Sequence, residues 1–531
     1  MKQTRREFLE FLGYSSIVLG TVSIPANVRA SLFSAKNNFN PLKRGISTDE
    51  LVLASGFEYS MLAQWGDPIN QGETFGYNND YIAFLPDNAN NPVSGTLWVN
   101  HEYAHPLFVS GYDKKSPKTK EQVIKEQESV GGSVVRVQKT STGSWELVKD
   151  DARNFRVSGR TKIPLSQPIL QSKEAVGTLA NCAGGVTSWG TILTCEENYQ
   201  DCYGDRKFGK SIINAAEYDY QWGSFFNYPP EHYGWVVEID VHKKTSKKLI
   251  SLGRFAHESA TCITAKDGRC VVYSGDDKND EFIYKFISKT PGSLEEGTLY
   301  VADTVNGKWL PLDLEKSPAL KLKFKNQTDV MIFAREAGKT LGATPQDRPE
   351  DMDINPHTGE ILVALTNNAS NLNFFGSILK IKEKNNDYLS MEFEVSTFMP
   401  GGEKTGFACP DNLAFDPAGN FWFTSDMSGS KMNKFPYTKY GNNGLFVVSQ
   451  QGKHAGKAVQ IASAPMDAEL TGPSFTPDGK TLFLSVQHPG EQTESLDNLT
   501  SNWPNGGKNI PRPAVVAITG PALEMLTKKL T

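Results

Sequence analysis

Residues 184–198 read GGVTSWGTILTCEEN: a glycine-centred turn followed by a run that alternates apolar and polar residues and ends on carboxylates. Turn chemistry followed by period-two patterning is the signature of a β-hairpin. The same pattern returns five times, in NPVSGTLWVNHE (91–102), TCITAKDGRCVVYSGDD (261–277), DINPHTGEILVALTNN (353–368), LAFDPAGNFWFTSD (413–426) and SFTPDGKTLFLSVQH (474–488). The expected turn glycines are Gly95, Gly190, Gly268, Gly359, Gly419 and Gly479. Their separations of 60 to 95 residues exceed the roughly 40–50 residues of a plain four-stranded blade, so insertions must lie between hairpins. Six such units predict an all-β fold, a six-bladed β-propeller with helical and loop insertions, over residues 31–531 as a single domain.

Composition agrees. The chain has 531 residues, 38% hydrophobic and 22% charged, with 46 glycines and 11% aromatic residues. Extended helical periodicity is scarce. The formal charge of −5 gives no basic footprint for a nucleic-acid partner. The N-terminus carries Arg5 and Arg6, then Phe8 and Leu9, then the moderately apolar run YSSIVLGTVSI (14–24), and Val28-Arg29-Ala30 with small residues at the cleavage positions. This is the pattern of a twin-arginine export signal over residues 1–30. The apolar run is too short and polar for stable membrane insertion. The chain is expected to engage the twin-arginine machinery and to act as a monomer in the periplasm or outside the cell. Loss of residues 1–30 leaves 51 basic against 58 acidic residues.

Certain positions of the repeat carry chemistry. Cys182 stands eight residues before Gly190, Glu258 ten before Gly268, Glu350 nine before Gly359 and Asp411 eight before Gly419. The far hairpin ends are polar too: Asn100-His101-Glu102, Glu196-Glu197-Asn198, Asp276-Asp277, Asn367-Asn368, Ser425-Asp426 and Gln487-His488. Strand ends on one face of a propeller converge on its channel, and gathered carboxylates repel unless a cation neutralises them. Carboxylates suit calcium; a thiolate among them suits a softer metal such as iron or zinc. Asp267, Asp416 and Asp478 are set aside as turn formers. The Gly184-Gly185 pair is expected to let the backbone pass close to whatever fills the channel. The six cysteines leave several pairings open: Cys182–Cys195, Cys195–Cys202 or Cys262–Cys270. The stretch 114–128 reads as a solvated insertion helix or loop, 331–340 as an insertion helix, and 521–529 as a terminal helix packed on a blade.

The blocks RREFL, TLANCAGGVTSWGTILTCEEN, GRFAHESAT, SGDDKNDEFIYKF, RPEDMDINPHTGEILVALTNN and CPDNLAFDPAGNFWFTSD resemble, in order, the motifs of the PhoX-type alkaline phosphatases. The resemblance runs from about Asn100 to about His488. It implies twin-arginine export and an active site of two ferric ions with several calcium ions, hydrolysing phosphate monoesters. By motif, it implies that Cys182 is the thiolate ligand of the iron pair. Glu258 and Glu350 would be iron and calcium carboxylates, Asp411 a further ligand, and at least one of Glu196 and Glu197 a ligand to calcium. Asn100 and Glu102 fit the asparagine–glutamate pair of the first motif, and Arg348 would hold the substrate phosphate. Ser188 and Ser259 stand where the family has proline and alanine. The alternatives are a calcium-dependent propeller hydrolase acting on lactones or on phosphotri- or diesters, and a non-catalytic secreted binding propeller.

Overall fold

The structure, a computed structural model, describes residues 39–210 and 220–528. The expected export signal at 1–30 lies outside the described residues.

Six sheets, antiparallel except for one parallel pair in the second (Lys248 opposite Leu165), close into a ring, each a blade whose innermost strand starts at the axis. The innermost strands are Asn79–Pro86, Asn181–Val186, His257–Thr264, Pro349–Ile354, Pro410–Phe415 and Glu469–Phe475, in blades 1 to 6. Each pairs with the strand that follows it across the predicted hairpin turn. The second strands, such as Ile192–Glu196, Ile361–Leu365 and Phe421–Ser425, are buried along their whole length. A strand covered on both faces by neighbouring blades needs continuous apolar patterning, which these runs supply. The ring closes where Glu58–Gln64 pairs with Ala514–Thr519 to complete blade 6, and Val52–Leu53 adds to the outer edge of blade 5. Mixing strands from distant parts of the chain in one sheet leaves no open edge at the join.

Five of the six expected turn glycines take positive φ, between 69° and 88°. Gly95 does not. It lies within Ser94–His101 opposite Pro86, and the first turn is the longer loop 87–93. A side chain at Gly95 would press to 2.5 Å from the Leu85 carbonyl, so the glycine serves close packing. Gly184 and Gly185 also serve contact between blades. A Cβ on Gly185 would sit 2.0 Å from the Ala260 carbonyl of blade 3, and one on Gly184 would strike the Tyr81 ring of blade 1.

All six innermost strands break register at the same end, in a β-bulge opposite the second strand. Such bulges re-aim side chains at the rims of closed sheets. In four blades a left-handed residue stands two positions before the re-aimed one: Asn78 before Asp80, Ala180 before Cys182, Arg348 before Glu350 and Cys409 before Asp411, with φ of 50–55°. Blades 3 and 6 use another form, with the left-handed residue (Ser259 at 68°, Gly472 at 57°) directly after Glu258 and Thr471. Non-glycine residues held in this region mark strain maintained by the surrounding fold.

The insertions correct two expectations. Lys120–Ser129 is helical and opens on a capping box between Thr119 and Gln122. Its inner face is not solvated: Glu126 is buried and accepts from Lys118 Nζ (2.7 Å), Trp222 Nε1 (2.9 Å) and Ser110 Oγ (2.7 Å). The segment expected at 331–340 forms two short helices, Gln327–Ile332 and Ala334–Leu341. Pro521–Leu526 is the terminal helix, packing Ala522 and Leu523 into the core of blades 5 and 6. Cys262 and Cys270 form a disulfide across the first strand pair of blade 3, while Cys182, Cys195, Cys202 and Cys409 are free. Among the described residues no helix is long and apolar enough to cross a membrane.

Candidate metal centre

The bulged strand starts and the second-strand ends meet at one mouth of the axis. Asp80 and Cys182 touch, Sγ to Oδ2 at 3.0 Å. Cys182 belongs to two sets of potential ligands at once, one with Asp80 and Glu102, the other with Glu197 and Glu258; within each, the donor atoms lie within 4.8 Å of one another. A single sulfur shared by two carboxylate sets is the arrangement a bridging thiolate requires.

The electrostatics call for cations. Asp80, Glu102, Glu197, Glu258, Glu350 and Asp411 are all buried. Burial raises the pKa of each, and neighbouring carboxylates add to it for Glu102, Glu197, Glu258, Glu350 and Asp411. Asp80 is pushed to about 7 by burial, and the Cys182 thiol well above its ordinary range by burial and then by the Asp80 and Glu258 charges. Among the described residues, the buried Asp80 Oδ1 and Glu258 Oε2 have no hydrogen-bond donor. Buried oxygens of this kind need a partner, and the amides of Gln487 and Asn78 are spent on Asp80 Oδ2 and Glu102 Oε2. The donor set therefore fits metal ions: carboxylates for a hard cation and a thiol for a softer one.

Arg348 is the counter-charge within the mouth. Its Nε and Nη2 grip Asp277 at 2.7 and 2.8 Å, and Nη2 also reaches Glu350 at 2.8 Å. Burial opposes ionisation of Asp277, yet Arg348 outweighs it and holds that carboxyl below its usual range. The two nitrogens on one edge of the guanidinium are thus committed, and Nη1 remains for another acceptor.

The other expected site residues divide sharply. Glu197 faces the cluster. Glu196 turns the opposite way and forms a buried ion pair with Lys248 (2.6 Å), accepting also from the backbone of Gly234 (2.9 Å) and Trp235 (3.1 Å). Alternation along the strand sends neighbouring side chains to opposite faces, so one of the pair had to leave the mouth. Asn100 is no open ligand either. Its Oδ1 accepts from Trp98 and Thr194, and its Nδ2 donates to the carbonyls of Cys182 (2.5 Å) and Ala183 (2.9 Å). It fixes the bulged start of the strand that carries the thiol. Ser188 sits exposed in the distal turn, away from any candidate ligand, whereas Ser259 is buried directly beside Glu258. His257 is packed: it bonds Ser274 and the Gly253 carbonyl and stacks on Phe255, and burial drops its pKa to about 3. Asp267, Asp416 and Asp478 accept from backbone N–H groups of their own turns, as turn formers do.

Four acids at the mouth were not assigned as ligands from sequence: Asp80, Asp277, Asp426 and Glu469. Glu469 lies 3.3 Å from His488 Nε2, and burial and then the Asp426 charge raise its pKa well above the usual range. Asp277 and Asp426 were visible as polar strand ends. Asp80 was hidden because the loop 87–93 lengthens the first hairpin and breaks the spacing to the turn glycine.

A ring of six blades with an acidic, thiol-bearing mouth defines a propeller built to hold metal at its axis. The family model for Alkaline phosphatase PhoX matches residues 37–490, and the chain belongs to the PhoX alkaline phosphatase family. It is thereby a phosphomonoesterase of a metal-dependent family. The solved structure of Pseudomonas fluorescens PhoX in complex with vanadate, a transition state analogue, is 30% identical at a TM-score of 0.83, over 93% of this chain and 99% of that one. A Penicillium chrysogenum alpha-L-arabinanase (10% identity, TM-score 0.37, 87% and 99% covered) and the Pseudomonas aeruginosa periplasmic gluconolactonase PpgL (9%, 0.32, 83% and 88%) lie much further away. No curated protein sequence matches the chain at a significant level.

Proposed function

We propose that this chain is an exported alkaline phosphatase that hydrolyses phosphate monoesters at a mixed iron–calcium cluster, in which Cys182 would be the thiolate that helps to hold the iron pair. The observation that carries this reading is the sharing of Cys182 Sγ between the Asp80–Glu102 and Glu197–Glu258 sets. Glu350 and Asp411, with Asp426 and Glu469 beside them, would hold calcium on the opposite arc of the mouth. When bound, the ions neutralise the phosphate oxygens and lower the pKa of water for attack.

The chain's own residues do the rest. Arg348 Nη1, on a guanidinium locked by Asp277, donates to a non-bridging phosphate oxygen and fixes the ester's orientation. Asn100 holds the carbonyls of Cys182 and Ala183, keeping the thiol at the axis. The bulges let strands from different blades present their acids without crossing. No protein nucleophile is required: the chain has no serine in a G-x-S-x-G elbow.

A calcium-only hydrolase would leave Cys182 as a small buried residue; its contact with Asp80 and its place in both ligand sets favour the iron reading. The twin-arginine signal at 1–30, delivery to the periplasm or medium, and a monomeric state complete the proposal. The test is elemental analysis of protein exported by its native route, with turnover of p-nitrophenyl phosphate before and after chelation. Iron and calcium together, with activity lost on chelation, are expected. Calcium alone would overturn the iron assignment.

A further inference from the structure

A recess of about 260 Å³ opens beside the cluster. Glu102 and Ala180 form its cluster side. Its wall carries Tyr103, Tyr220 and Trp222, and its polar positions are Asn198, Asp201 and Glu491. The recess lies over blades 1 and 2, with Glu491 arriving from the loop between Leu482–Gln487 and Ala514–Thr519 of blade 6. Arg348 and its partners Asp277, Glu350 and Asp426 occupy the arc of blades 3 to 5. A phosphate held by Arg348 therefore has its ester oxygen free to point across the mouth, toward the recess.

We propose, building on the phosphatase reading above, that this recess is the leaving-group site, and that it selects compact, uncharged aromatic leaving groups over those carrying a further negative charge. Two observations carry this. The wall is aromatic: Tyr220 and Trp222 pack with centroids 5.7 Å apart, and Tyr103 is braced by stacking on His488 and by its hydroxyl donating to Glu491 (2.8 Å). Such faces receive a ring by offset or edge contact. The polar positions include two acids: Asp201 and Glu491 line the recess, and among the described residues its lining contains no basic side chain. An anionic leaving group would meet like charge there, which is discrimination by repulsion. The volume suits a phenol-sized group, and excludes the body of a macromolecular phosphoester.

The test uses three monoesters on the metal-loaded full-length enzyme. Methyl phosphate does not fill the recess. Phenyl phosphate fills it, and 4-carboxyphenyl phosphate has the same core with one added negative charge. The wild-type enzyme is expected to prefer phenyl over 4-carboxyphenyl phosphate by about tenfold in kcat/KM, the scale of one charge repulsion in a partly buried site. Asp201→Asn should narrow that preference by about fivefold. Tyr220→Ala should lower the ratio of kcat/KM for phenyl to methyl phosphate by about tenfold, the scale of a lost aromatic contact. An unchanged charge preference in Asp201→Asn, or an unchanged phenyl-to-methyl ratio in Tyr220→Ala, would overturn the assignment. Wild-type turnover of methyl phosphate and its metal content report on the catalytic reading separately, because neither depends on the recess.

Discussion

The two ends of each hairpin hold the same kind of residue under opposite conditions. In blade 3, Asp267 sits at the exposed turn, where the backbone N–H and guanidinium of Arg269 hold its pKa below the usual range. Nine residues away along the same strand pair, Glu258 is buried at the axis among Glu350, Glu197 and Asp411, and its pKa rises. In blade 5, Asp416 is answered by Asn420 and Trp422 within its own turn, whereas Asp411 at the other end faces Asp426 and Asp80. Local donors answer the distal acid, and the mouth acids face one another. An acid becomes a metal-ligand candidate when the fold removes its local donors, and residue type alone does not decide it.

That contrast can be broken at graded cost. The largest effect is expected at Cys182→Ala, which removes the atom common to both ligand sets: turnover of p-nitrophenyl phosphate should fall about 10³-fold or more, with iron lost from the purified protein. Next, Arg348→Ala should lower kcat/KM by about 10²-fold while metal content persists, and Arg348→Lys should rescue little of it because Lys cannot reproduce the edge-on grip on Asp277. The adjacent glutamates should then part company. Glu197→Gln is expected to weaken metal binding, measured by elemental analysis. Glu196→Gln should keep metal but cost about 3–5 kcal/mol in chemical denaturation, because it leaves Lys248 buried without its partner.

Metal removal supplies a fourth test through pH. In metal-free protein the Asp80 carboxyl titrates near 7, above its unfolded value of 3.8. A pKa raised by folding gives stability that is complete below the unfolded value and lost as pH rises through the folded one. The melting temperature of chelated protein should therefore fall between about pH 4 and pH 7, and the loaded protein should lack this decline. The smallest effect belongs to the distal end: Asp267→Asn should leave metal content, turnover and melting temperature unchanged.

The hairpin repeat made the propeller legible, because turn glycines and alternating strands are local signals; five of the six glycines do adopt positive φ. Cys182, Glu350 and Asp411 were legible for the same reason, since each lies a nearly constant distance from its turn. Glu258 was found at the correct end although blade 3 reaches it through a different bulge, with Ser259 left-handed. What failed was anything set by distance in space. Glu196 and Glu197 are adjacent and alike in sequence, and it is the buried Lys248 of a later strand, with the backbone of Gly234 and Trp235, that claims Glu196. Asn100 has the composition of a ligand, but the carbonyls of blade 2 consume its amide. Asp80 was masked by a lengthened loop, and Glu469 belongs to a blade whose bulge carries Thr471 and Gly472 instead of an acid. The burial of the 114–128 insertion depended on Trp222, about a hundred residues on.

Cys182 Sγ is proposed to serve two metal pockets at the mouth. Iron-edge X-ray absorption of the natively exported protein tests it most directly. A sulfur scatterer bound to iron in the wild type, absent together with the iron in Cys182→Ala, is the predicted result. Iron surrounded by oxygen alone in the wild type, or a full iron complement in Cys182→Ala, would contradict it.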